Sequence, residues 1–154
     1  MISIEFLKKI ALFNDLSDNE IERIGQVCQE VVVNRGDVIL EENAPSDAMY
    51  IIHEGMVEVL LDPSRVTPEA LAAPTPTPLL SLGRGQVFGE MGLVDRGARS
   101  ATVHCTADNT RLFAINRDDF LKLCEEDTHI GYVVMRNIAK DLSFKLRVRN
   151  LAWK

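Results

Sequence analysis

No stretch of the 154-residue sequence comes near the ~20 consecutive apolar residues that a membrane-spanning helix requires, so a helical membrane protein is excluded. A secretory leader is not expected either. The first nine residues put Glu5, Lys8 and Lys9 where a signal peptide would carry its apolar core, and the expected location is the cytoplasm. Cysteine is scarce. Cys28, Cys105 and Cys124 lie far apart, odd in number and without CxxC spacing, which predicts reduced, buried thiols over a disulfide framework or a zinc site. Positive charge is short as well: the net charge of -6 argues against broad nucleic-acid binding.

The charge that is present is uneven. Residues 136–154 hold six Lys/Arg against Asp141 alone, a net +5, so the preceding 135 residues carry -11. Such a basic end can meet an acidic partner, or it can be the solvated end of a helix whose negative dipole terminus favours cations. Hydrophobic residues at 46% and charged residues at 26% match an ordinary globular chain of one domain.

Hydrophobic periodicity divides the chain into three parts. Ile4, Leu7, Ile10 and Ala11 recur at helical spacing up to a break at Asn14–Asp15. Ser17-Asp18-Asn19-Glu20 then reads as a capping box opening a helix with Ile21, Ile24, Val27 and Cys28 on its apolar face. Short strands with turn punctuation follow: 30–33, 38–40, 50–53, 56–61, 100–106 and 111–115. Residues 62–78 carry five of the six prolines and predict a long, solvated hairpin loop with polyproline character, outside any central sheet. Asn116 can cap a helix from Arg117 to about Glu126, and a last helix runs from about Thr128 to Asn150. Its stripe is Ile130, Val134, Ile138, Leu142 and Leu146, widened by Tyr132 and Val133. The predicted fold class is α+β: a helical lead-in (1–29), an eight-stranded β jelly-roll barrel (30–115) and C-terminal helices (116–150).

The stretch from Phe88 to Val103 carries the chemistry. A strand ends at Phe88, Gly89 permits a sharp turn, and one helical turn follows from Glu90 to Val94. Amides at such a turn suit an anion, and Arg99, opening the next strand, offers a guanidinium for bidentate phosphate bonding. The residues alone fit equally a β-turn closed by a surface Glu90–Arg99 salt bridge.

The same stretch resembles the phosphate-binding cassette of the cyclic nucleotide-binding domain family, approximately F-G-E-L-A-L-x-x-x-x-x-R-A-A-T-V. Phe88, Gly89, Glu90, Leu93, Arg99, Ala101, Thr102 and Val103 match in register. Phe13–Ser17, Gly36–Leu40 and Tyr50–Val59 resemble three further motifs of that family in the same order. The resemblance implies a non-catalytic receptor in which Arg99 pairs with the cyclic phosphate and Glu90 accepts from the ribose 2′-hydroxyl. The amides around Gly89, Glu90, Met91 and Gly92, with those of Ser100 and Ala101, would complete the cradle. Phe88 and Val103 would support it from the core.

The sequence departs from the pattern at Met91, at Gly92, at Ala98 (a common proline) and at Ser100. The position of Ser100 often tunes base preference, and serine leaves it open; the expected ligand is cAMP, with cGMP as the alternative. The last helix resembles the family's hinge and lid helix. Asn137, Asp141 and Lys145 are its candidate contacts to a base, and its apolar stripe is a candidate homodimer seam. No metal and no cofactor is expected. His53, His104 and His129 are isolated, whereas the metal chemistry of cupin enzymes needs grouped His and Glu. The cysteines likewise lack the grouping of a haem or iron–sulfur sensor. No DNA-reading module is expected in this chain, which is expected to be either a stand-alone sensor that signals through an unidentified protein effector or the regulatory piece of something longer. The competing reading is an interaction module that keeps the fold without binding cyclic nucleotide.

Overall fold

The computed structural model describes residues 2–40, 47–61, 77–95, 97 and 101–152. The described chain separates into two compact units: Gln29–Arg117, and the terminal helices on either side of it.

The central unit is built from eight strands: β1 (Cys28–Val33), β2 (Val38–Leu40), β3 (Ala48–Glu54), β4 (Val57–Leu61), β5 (Thr77–Leu82), β6 (Val87–Phe88), β7 (Thr102–Cys105) and β8 (Thr110–Asn116). They form two four-stranded antiparallel sheets, ordered β1-β8-β3-β6 and β2-β7-β4-β5, the jelly-roll order. Alternation along each strand sends one residue from each of β2–β8 into a shared core: Leu40, Ile52, Val57, Leu82, Phe88, Val103 and Leu112. Val31 and Val33 of β1 pack against it. Burying each such side chain stabilises the fold by roughly 1.5–3 kcal/mol, which makes this cluster the main cohesion of the unit.

Turn chemistry sets the strand ends. Asp37 Oδ2 accepts from the Asn34 amide at 2.8 Å, while Asn34 Oδ1 accepts from the Asn109 amide at 3.0 Å, tying two turns together. Gly55 turns β3 into β4 at φ 99°. A Cβ there would lie 2.8 Å from Thr110 Cα, so neither the conformation nor the space admits a side chain.

β5 corrects the loop boundary expected at residue 78. The strand begins at Thr77, and Pro78 pairs in register with Leu60. It lies at the edge of its sheet, where a residue without an N–H loses no ladder bond that a further strand would need. The remainder of the proline-rich segment, 62–76, lies outside the described residues.

The helical unit comprises α1 (Ile4–Leu7), a 3₁₀ turn (Ala11–Phe13), α2 (Asp18–Gln26), α3 (Arg117–Glu126) and α4 (Thr128–Ala152). The expected first helix is thus split, with a chain bend between Leu7 and Ala11. The capping box forms: the Ser17 amide donates to Glu20 Oε1 at 2.9 Å, and the Glu20 amide donates to Ser17 Oγ at 3.2 Å. Glu20 Oε2 also meets His129 Nδ1 at 2.5 Å, and Arg23 pairs with Asp127 at 3.1 Å, joining α2 to the start of α4. Ile130, Val133, Val134 and Ile138 are buried as the stripe predicts, but Tyr132 and Leu146 are exposed. Tyr132 stands outside, 5.7 Å beneath the Arg136 guanidinium. No helix among the described residues is long and apolar enough to cross a membrane.

Candidate functional site

The candidate cassette begins in the sheet. Phe88 of β6 pairs in register with Tyr50 of β3, and their rings stack at 5.2 Å and 11°. Gly89 follows at φ 76°, the left-handed conformation that reverses the chain at once. A four-residue 3₁₀ turn, Glu90–Leu93, then forms, in the place the sequence predicts for a single helical turn. Its bonds begin with the Gly92 amide donating to Gly89 O at 2.9 Å. The Val94 and Asp95 amides both donate to Met91 O, at 3.0 and 3.2 Å.

Burial sorts the turn's side chains. Leu93 is fully buried and anchors the turn to the core; Met91 and Val94 face outward, 47% and 52% exposed. Glu90 is only 8% exposed. A carboxylate is among the residues least often buried, because removing it from water costs several kcal/mol unless hydrogen-bond donors surround it. A carboxylate held there accepts hydrogen bonds from hydroxyls or cations; that is its chemical capacity.

Of the other residues singled out in the sequence, Gly89, Met91 and Gly92 share this turn, and Ala101 is half-buried just before β7. Arg99 and Ser100 lie outside the described residues, and so does any Glu90–Arg99 pair. The three helix candidates have separate employments within the helical unit. The Asn137 amide donates to Leu12 O and to Asn14 O, both at 2.9 Å, which fastens α4 to the N-terminal turns instead of offering the group to a ligand. Asp141 and Lys145 form an i,i+4 ion pair at 2.9 Å.

One residue at this site escaped sequence reasoning. Arg117, 8% exposed, donates from Nη1 to Asp95 O at 3.0 Å, just beyond the turn. Its sequence signal was a basic residue at a helix start, which reads as solvated surface. Among the described residues no three His, Cys, Asp or Glu side chains converge as a metal ion would require.

The cyclic nucleotide-binding domain family model matches residues 30–127. Over 120 residues the chain is 31% identical to the cGMP-dependent protein kinase, isozyme 2 forms cD5/T2, of Drosophila melanogaster, covering 77% of this chain and 12% of that kinase. It is 30% identical over 118 residues to the cAMP-dependent protein kinase regulatory subunit of Aspergillus fumigatus, covering 77% of this chain and 26% of that subunit. The chain therefore spans far less than two thirds of either relative. A solved cyclic nucleotide-binding domain from Methylobacillus flagellatus matches at a TM-score of 0.78 and 25% identity, over 98% of this chain and 82% of that one. Jelly-roll order, a glycine-led 3₁₀ turn with a buried glutamate, and a family match across most of the chain lead to one assignment: this chain belongs to the cyclic nucleotide-binding domain family.

Proposed function

We propose that the chain is a cyclic nucleotide receptor, with cAMP as its preferred ligand, that signals through its C-terminal helix to a protein effector. The observation that carries this reading is the buried carboxylate of Glu90 on the Gly89-led turn, with Arg99 nine residues on in the sequence. In this reading the Arg99 guanidinium neutralises the cyclic phosphate and Glu90 accepts from the ribose 2′-hydroxyl. The division of labour explains how a carboxylate serves an anion site: it binds the ligand's hydroxyl, while the cation meets its charge. Amides of Gly89, Glu90, Met91, Gly92, Ser100 and Ala101 add neutral donors to the phosphate.

The output end has support of its own. α4 is 25 residues long; Ile130, Val133, Val134 and Ile138 in its first half are buried, whereas Phe144, Leu146 and Val148 in its second half are exposed. These side chains offer an apolar surface to an effector or to a second copy of the chain. Nucleotide shifts the helix only by as much as its affinities for the two helix positions differ.

Isothermal titration of the purified chain with cAMP, cGMP and 5′-AMP tests the reading. Saturable binding of a cyclic nucleotide in preference to 5′-AMP supports it, and stronger binding of cAMP than of cGMP supports the base assignment. Failure of a folded, ligand-stripped sample to bind either would favour a module that interacts without nucleotide.

A further inference from the structure

Among the described residues Arg117 is the only lysine or arginine that is buried. Burying a guanidinium costs several kcal/mol unless acceptors replace its water, so the fold must gain by holding it there. Its two ends are used differently. The Arg117 backbone N–H donates to Asp47 O at 2.8 Å, securing the end of β8 beside the start of β3. The side chain instead reaches the Asp95 carbonyl, 22 residues back in the chain.

The cassette turn needs such a tether. A four-residue 3₁₀ turn has poorer hydrogen-bond geometry than an α-helix, so contacts made just beyond it help to hold it. Its start is fixed by Gly89 and Phe88, and its last residue, Leu93, is buried. The chain that follows the turn runs through the exposed Val94 to Asp95. There the linkage is short: Arg117 holds the Asp95 carbonyl, the Asp95 amide donates to Met91 O, and Met91 is the neighbour of Glu90.

We propose that Arg117 is a positioning residue for nucleotide binding: by gripping the Asp95 carbonyl it holds the turn in the conformation that presents Glu90, and so raises affinity without touching the ligand. This rests on the receptor reading above. Arg117→Met removes the donors at similar volume, and Arg117→Lys keeps the charge with one compact donor group. The backbone bond to Asp47 survives both. Titration of wild type and both variants with cAMP and cGMP is paired with amide exchange at Gly92, Val94 and Asp95, with Ile52 in β3 as the reference.

The expected result is an affinity loss of about tenfold in Arg117→Met, because without the grip the binding-competent turn is populated only about a tenth as often. Arg117→Lys should fall between it and wild type. Exchange should rise at Val94 and Asp95 but not at Ile52. Arg117→Met binding within about twofold of wild type, or exchange rising equally at Ile52, would overturn the proposal while leaving the receptor reading intact. If Arg117→Met does not fold, Arg117→Lys decides: weaker binding with local exchange supports the grip, and wild-type behaviour in both overturns it. A wild-type chain that binds neither nucleotide overturns the receptor reading and this proposal with it.

Discussion

Replacing Asn137 by alanine deletes both bonds from α4 to the turns at Leu12 and Asn14, each 2.9 Å long. The side chain is 9% exposed, so water does not readily take its place. A buried carbonyl left without a donor costs about 1–3 kcal/mol, and a carbonyl that water can still reach loses only about 0.5–1.5 kcal/mol. The Leu12 bond is buried and the Asn14 bond partly so, giving roughly 2–4 kcal/mol in all. For a chain of this size each kcal/mol moves the melting midpoint by about 2–4 °C, so Asn137→Ala should lower it by roughly 4–16 °C. Differential scanning calorimetry reads the shift. Arg136→Ala supplies a contrast, since its 2.6 Å pair with the exposed Asp15 is a surface contact worth at most about 1 kcal/mol. A loss below about 0.5 kcal/mol in Asn137→Ala would mean that these two bonds do not fasten α4, and would return Asn137 to the groups able to meet a ligand.

Ser17→Ala should destabilise the chain by about 1 kcal/mol, read as a lower urea midpoint at pH 7. Burial pushes the Glu20 carboxyl up, but hydrogen bonds from the Ser17 amide, His129 and the Ser17 hydroxyl outweigh it and hold the group below its ordinary 4.5. Glu20 therefore contributes stability above pH 4.5 that is lost as pH falls through its lowered value, and Glu20→Gln should flatten that part of the acid unfolding curve. Gly55→Ala should yield little folded protein, because the new Cβ meets Thr110 Cα at 2.8 Å and the φ of 99° is itself unfavourable; a midpoint within a few degrees of wild type would count against it. Burial raises the thiols of Cys28 to about 12 and, with help from Asp127, Cys124 to about 11, so both should resist alkylation at pH 8 until denaturant is added, as mass spectrometry can show.

Local chemistry made much of the fold readable. The Ser17/Glu20 box, the turn at Asn34–Asp37 and the α3–α4 break around Asp127 are each set by residues within four positions of one another, and each forms as expected. The turn at Glu90–Leu93 was legible for the same reason, since Gly89 ends the strand and starts the turn. β5 was not, because Pro78 and its proline-rich surroundings read as loop and only the position at a sheet edge makes the residue tolerable. Asn137 and Arg117 share a different difficulty. Their acceptors lie 123–125 and 22 residues away, and no periodicity announces a side chain that bonds to a distant carbonyl. Polar residues at helical positions read as surface or as ligand contacts until the packing shows what they hold.

The receptor reading turns on Arg99 neutralising a cyclic phosphate. Its most direct test is calorimetric titration of wild type and Arg99→Ala with the better-bound cyclic nucleotide, with circular dichroism to show that both are folded. Removing one partner of a buried charge pair costs roughly 2–5 kcal/mol, so Arg99→Ala should bind at least about thirtyfold more weakly. Equal affinity in the two folded proteins would contradict the phosphate contact on which the receptor reading depends.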